Sequence, residues 1–170
     1  MLENWKIING YDNYEISSHG RCRNNKTNRI LKLSANKETW CKGYQYVILR
    51  KDNIRKNCKI HRLVADAFLE NPLNKKYVDH IDNDPKNNKL SNLRWATSKE
   101  NQGNRSKGKN TSSCYKGVSW HSKNKKWHAQ IKLNGKKYHI GSFKNEEDAA
   151  RAYDEKAREH FGEFAKLNFN

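Results

Sequence analysis

Apolar residues along this chain fall into short alternating runs and two longer stripes. Trp5-Lys6-Ile7-Ile8 predicts a first strand, and Tyr14-Glu15-Ile16-Ser17 a second, closed by a His19-Gly20 turn. Arg21-Cys22-Arg23-Asn24 predicts the return strand, and Gly43 to Leu49 (GYQYVIL) is the longest β run of this region. The period then changes. Ile60, Leu63, Val64, Ala67 and Phe68 recur at the spacing of one buried helical face within residues 59–69, and Asn71-Pro72 ends that helix. Val78 precedes Asp79-His80 in a brief strand, and the turn formers Asp82, Asn83, Asp84, Pro85, Asn87 and Asn88 stop it. Leu93-Arg94-Trp95-Ala96 predicts a strand, and Thr97-Ser98-Lys99-Glu100 has the form of a capping box that opens a helix.

The last third has its own pattern. Strands are predicted at residues 115–120, 126–133 and 136–143, the latter two joined by Asn134-Gly135, a strong hairpin signal. Asn145 with Glu146, Glu147 and Asp148 starts a helix with acid in its first turn. That helix carries Ala149, Ala150, Tyr153, Ala157 and Phe161 on one face and stops at Gly162. Between the two patterned regions, residues 102–113 are small, polar and basic without periodicity, which reads as a linker. The fold class expected is α+β in several small modules: a β-rich module at 1–52, a strand-loop-strand-helix module at 53–105, a basic linker at 106–114, and a three-stranded antiparallel sheet with one helix at 115–170.

Composition sharpens this picture. Only 34% of the 170 residues are hydrophobic and the mean hydropathy is -1.20, lean for one large core, so thin modules held on a polyanion are expected. The net charge of +17 is spread along the chain, the footprint of a nucleic-acid binder rather than of one basic tail. No apolar run approaches membrane-spanning length and no signal peptide opens the chain. Cys22, Cys41, Cys58 and Cys114 lie far apart without a C-x-x-C pair, so reduced thiols are expected rather than a zinc site. The expected location is cytoplasmic, or a nuclear or viral host compartment, and not secreted.

Chemistry concentrates between Tyr77 and Asn101. Asp79 offers a hard anionic oxygen and Asn101 a neutral carbonyl oxygen, a sparse oxygen set that suits Mg²⁺ together with water and phosphate. His80 points to the other strand face from Asp79 and is placed to act as a base on water. Asn92 is placed to fix the imidazole or its backbone. An EF-hand reading of Asp82-Asn83-Asp84 fails because the loop lacks the glycine and the closing glutamate.

These residues, DHIDNDPKNNKLSNLRWAT followed by EN, resemble the HNH motif of phage and intron homing endonucleases of the ββα-metal type. The resemblance implies His80 as general base, Asn92 as the residue that orients it, and Asp79 and Asn101 as ligands of Mg²⁺ or Mn²⁺. The third motif letter here is Asn101 rather than His. HRLVA at 61–65 also resembles the segment preceding the Asp-His pair in that family. His61 there either borders the site or packs structurally, and both readings stay open. WKIINGYDNYEISSHGRCRN resembles the small module that often precedes HNH motifs, which implies DNA contacts from Arg21, Arg23, Lys26, Arg29, Lys32 and Lys37. Arg105, Lys107 and Lys109 of the linker are expected on a DNA backbone or minor groove.

YKGV, WHAQI, YHIGSF, EEDAARAYDEKA and LNF over residues 115–169 resemble the Apetala-type DNA-binding domain of plant ethylene-response factors. That likeness implies a sheet in the major groove, with Lys116, Trp127 and Lys132 at contact positions and Lys123, Lys125 and Lys126 on phosphates. For Trp120 and Trp127, packing against the helix is an equal alternative. Ser119, His121 and His139 stand where plant members have Arg, Arg and Trp, so the plant target sequence does not transfer. The function expected is a monomeric, site-specific, metal-dependent endonuclease on double-stranded DNA that nicks one strand. A non-enzymatic DNA-binding regulator is the alternative; an RNA-binding protein rests on charge alone.

Overall fold

The computed structural model describes residues 2–35, 43–108 and 111–169, and its contacts divide the chain into two compact units, Met1–Ala96 and Thr97–Asn170. Lys37, Cys41 and Lys109 lie outside the described residues.

The first unit opens with β1 (Trp5–Ile8), β2 (Tyr11–Ser17) and β3 (Cys22–Asn24), an antiparallel sheet in that order. A second antiparallel sheet holds β4 (Ser34–Ala35), β5 (Gln45–Lys51) and β6 (Ile54–Lys59). Val47 and Leu49 are buried and Ile48 is exposed, the period-two pattern of a half-covered strand. Asp52 and Asn53 join β5 to β6 with φ of 49° and 62°, both left-handed, as tight hairpins require. The boundary expected after residue 52 therefore falls inside a hairpin. α1 (Ile60–Phe68) follows β6 directly, then β7 (Tyr77–His80) and β8 (Leu93–Ala96) pair antiparallel, with a 3-10 turn at Leu90–Asn92 before β8.

All of these elements share one core. Ile8, Ile16 and Cys22 pack with Val47, Leu49 and Cys58, with Ile60, Val64 and Ala65 of α1, and with Val78 and Leu93. The two segments expected as modules, 1–52 and 53–105, share this core up to Leu93. A segment with so few apolar residues gains more by pooling its buried surface than by closing a core alone.

The second unit begins at α2 (Ser98–Asn104). Thr97 Oγ1 accepts from the Glu100 N–H at 3.2 Å and Glu100 Oε2 accepts from the Thr97 N–H at 2.6 Å, completing the capping box. β9 (Val118–His121), β10 (Lys126–Leu133) and β11 (Lys136–Phe143) form an antiparallel sheet in the order β11-β10-β9, backed by α3 (Glu146–Phe161). Val118, Ala129, Ala149 and Ala150 make its core, with Trp127 packed against them. Asp154, 2% exposed, accepts from the backbone N–H groups of Asn168 and Phe169 and so ties the chain end to α3. Asn145 stands at the N-cap of α3, but its amide donates to Asp148 at 3.2 Å instead of accepting from the backbone. The linker expected at 106–114 is anchored at its far end: Ser113 Oγ and the Cys114 N–H both donate to Glu146 Oε1, at 2.6 and 3.0 Å. No helix is long and apolar enough to cross a membrane among the described residues.

Candidate functional site

The β7-β8 hairpin sets the site. Its register pairs Asp79 with Arg94 and His80 with Leu93, and Val78, Asp79 and His80 are all buried. Successive strand residues point to opposite faces, so the carboxylate and the imidazole serve different sides of the strand. Asp79 is 4% exposed, and Arg94 Nε reaches its Oδ2 at 3.0 Å. Such a buried pair is costly to break, because the partner left behind is an uncompensated charge.

His80 packs against two further rings, His61 at 5.1 Å and Tyr44 at 5.8 Å between centroids. Its Nε2 lies 3.2 Å from Asn88 Oδ1. Asn88 donates through Nδ2 to Gln45 Oε1 at 2.8 Å and to the Lys86 carbonyl at 3.1 Å. With both amide hydrogens engaged, Oδ1 acts as acceptor, which assigns the imidazole proton to Nε2 and leaves Nδ1 as the basic nitrogen. Burial lowers the His80 pKa; the Asn88 bond and the Asp82, Asp79 and Asp84 carboxylates oppose that shift without cancelling it. The imidazole is therefore neutral at neutral pH, the form in which it takes a proton.

Asn92 works on the loop after His80. Its Oδ1 accepts from the Asp82 N–H at 3.1 Å, and its Nδ2 donates to Asp82 Oδ1 at 2.9 Å and to the Asn87 carbonyl at 2.8 Å. Its backbone carbonyl accepts from the Ile81 N–H at 2.9 Å. Asn88 bonds to the imidazole, and Asn92, expected on the imidazole or its backbone, bonds to the backbone just after it. Asp82 is spent inside the loop: desolvation pushes its carboxyl up, but bonds from Asn87, the Asp84 N–H and Asn92 outweigh this and hold it below the ordinary carboxylate range. Asn101 stands one turn into α2, half-buried, its N–H bonded to the Thr97 carbonyl at 3.0 Å.

Asp79 in the first unit and Asn101 in the second each carry a hard oxygen of the kind that Mg²⁺ or Mn²⁺ takes. No cluster of three or more His, Cys, Asp or Glu side chains suited to a metal occurs among the described residues, so an ion would rest on few protein ligands.

The comparisons with known proteins agree with this hairpin. Residues 58–102 match the HNH endonuclease family and residues 3–50 match the NUMOD4 motif. Protein 3.8 of Escherichia phage T7 is 38% identical over 91 residues, which cover 54% of this chain and 74% of that protein. The chain belongs to the HNH endonuclease family. An uncharacterized HNH endonuclease of Acanthamoeba polyphaga mimivirus, L245, is 43% identical over 101 residues, covering 59% of this chain and 29% of its own length. DNA endonuclease I-HmuI of Bacillus phage SP01 is 38% identical over 98 residues. The solved structure that describes DNA binding and cleavage by I-HmuI superimposes with a TM-score of 0.52 at 37% identity, covering 58% of this chain and 55% of that one. The chain thus spans about half of I-HmuI and under a third of L245.

The basic residues of this HNH protein divide by what they touch. Arg21 is paired with both carboxylate oxygens of Glu3, and Arg23 donates to Glu15 at 2.6 Å with its guanidinium 4.2 Å from the Trp5 ring centre. Both are committed to the fold of the first sheet. Lys26 and Arg29 are exposed on the loop after β3, and Arg105 is exposed at the end of α2. Lys107 donates to Thr111 Oγ1 and the Ser113 carbonyl at 3.0 and 2.7 Å. Lys116 turns inward: its Nζ donates to the Gly103 carbonyl at 2.6 Å over the Tyr153 ring, and burial lowers its pKa to about 8. Trp127 packs against the core and edge-on to Trp120, 5.1 Å between centroids. Lys123, Lys125, Lys126 and Lys132 are exposed on the β9-β10 turn and β10.

Residues outside the sequence expectation include Asn88, read there only as a turn former, and Arg94, read as a strand residue. The β5-β6 hairpin adds Arg50, Lys51, Arg55 and Lys56, all exposed, and three of them line a cleft with Tyr11, Asp12 and Asn53. A run of cations at the tip of a two-residue hairpin was the available signal.

Proposed function

We propose that this chain is a site-specific, divalent-metal-dependent DNA endonuclease of the homing type that hydrolyses phosphodiester bonds and nicks one strand as a monomer. The observation that carries the reading is the buried His80 whose Nε2 lies 3.2 Å from Asn88 Oδ1, one residue from a buried carboxylate. In this mechanism His80 Nδ1 accepts the proton of the attacking water, and Asn88 keeps the ring in the required tautomer. Arg94 holds the Asp79 carboxylate in place, and Asn92 fixes the loop that leaves His80. When bound to Asp79 and Asn101, Mg²⁺ or Mn²⁺ would neutralise the phosphate and stabilise the leaving 3′ oxygen. The products are 5′-phosphate and 3′-hydroxyl ends.

DNA holding is assigned to the exposed cations of the β5-β6 hairpin, Lys26, Arg29, Arg105 and the lysines of β9-β10. The sheet and helix of the second unit support an Apetala-type DNA-binding domain, with Lys116 and Trp127 in structural rather than contact roles. The three described cysteines are free, in keeping with a reducing cytoplasmic, nuclear or viral host compartment. The test is conversion of supercoiled plasmid to open circle with Mg²⁺ or Mn²⁺, by the wild type and by His80→Ala. Nicking that needs the metal and disappears in His80→Ala is expected. Specific duplex binding with no metal-dependent nick would instead make the protein a DNA-binding regulator.

A further inference from the structure

His61, in the first turn of α1, is 5% exposed. Its ring lies 5.0 Å from that of Tyr44 and meets the His80 ring edge-on at 68°, with centroids 5.1 Å apart. Its Nδ1 is buried without a hydrogen-bond partner. An unpaired buried nitrogen carries a desolvation penalty that a phenyl ring, stacking as well on Tyr44 and His80, would not. Burial first, then the nearness of His80, Lys59 and Arg62, brings the His61 pKa down to about 3. The ring is thus uncharged at neutral pH and keeps a lone pair.

We propose that His61 is a second imidazole of the cleavage site, its Nδ1 reserved for the water that attacks the scissile phosphate. The proposal rests on the nuclease reading above. A water deprotonated by His80 alone can still rotate, and a second contact fixes which lone pair faces phosphorus. A neutral imidazole in ring contact with His80 supplies that contact by accepting the water's other O–H. In the step, the water oxygen bonds to phosphorus, the P–O3′ bond breaks, one proton passes to His80, and the 3′ oxygen takes a proton from solvent. His61 gains no proton.

The experiment compares wild type, His61→Phe and His61→Gln in plasmid nicking at saturating Mg²⁺, in duplex binding by mobility shift, and in thermal unfolding without DNA. His61→Phe is expected to nick about 100-fold more slowly, the scale of misplacing a reacting group, with duplex affinity within about twofold. Its unfolding midpoint should equal or exceed the wild type's, because the unpaired nitrogen is gone. His61→Gln, which restores a polar atom, should recover part of the rate. A His61→Phe protein that nicks like a nicking wild type overturns this inference alone. A lowered midpoint in His61→Phe overturns it too, by making the residue structural. A wild type that never nicks overturns the nuclease reading and takes this inference with it.

Discussion

Replacing Asn88 by Ala removes one side chain and disconnects three groups. His80 Nε2, Gln45 Oε1 and the Lys86 carbonyl each lose the partner that Asn88 provides. Asn88 is 3% exposed, so water does not readily take its place. At about 1 kcal/mol net per hydrogen bond, the loss is about 3 kcal/mol of folding stability. With a urea m-value of about 2 kcal/mol/M for a small domain, the unfolding midpoint of the first unit should fall by about 1.5 M. The chemical effect is separate. Without an acceptor on Nε2 the imidazole loses the bond that selects its tautomer, and the nicking rate should drop on the order of 10–100-fold, the usual effect of losing an orienting partner. The assay is single-turnover nicking with saturating Mg²⁺ below the variant's own unfolding transition, beside a urea titration followed by tryptophan fluorescence. Lost stability with an unchanged rate would refute the tautomer assignment. An unchanged midpoint would refute the network itself.

Arg94→Gln leaves Asp79 buried without its cation and should cost about 3–5 kcal/mol in metal-free protein. Mg²⁺ should then raise the variant's melting temperature more than the wild type's, and no difference would count against Asp79 as a ligand. The buried neutral His61 sets a pH trend. Its folded pKa of about 3 lies below the unfolded value of 6.5, so the unfolded state binds the proton first, and stability is full above pH 6.5. Stability should fall by up to about 1.4 kcal/mol per pH unit as the pH drops from 6.5 toward 3. His61→Phe should flatten that part of a pH series of urea midpoints, and an unflattened series would contradict the burial argument. Changing Arg50, Lys51, Arg55 and Lys56 together to Gln should lower the slope of log affinity against log salt for duplex DNA by up to about 4, without changing the melting temperature by more than about 2 °C. An unchanged slope would remove the hairpin from the DNA-binding surface.

Much of the local structure was legible before any coordinates. Strands at 77–80 and 93–96 follow from short apolar runs on either side of turn formers, and the helix at 98–104 from the capping box that Thr97 and Glu100 complete. The sheet of the second unit follows from alternation and the Asn134-Gly135 turn, and α3 from its alanine stripe. Less legible was how segments share a core. Residues 1–52 and 53–96 look like separate modules because the motifs in them are separate, yet Val47 and Leu49 pack with Val64 and Leu93. The partners of single cations were equally hidden. Arg23 and Lys116 look like phosphate contacts in sequence, while their partners Glu15 and Gly103 lie 8 and 13 residues away.

The linear order of residues was enough to establish the basic character of the chain, the strand-loop-strand-helix unit and the Asp79-His80 pair, because each depends on composition or on neighbours within a few positions. Only the fold decided that Asn88 rather than Asn92 bonds to the imidazole, that Arg94 guards the carboxylate, and that His61 lies against His80. Those choices depend on side chains from Gln45 to Arg94 meeting across strands and loops. Tertiary contact sets which amide faces which ring, and no local pattern records it.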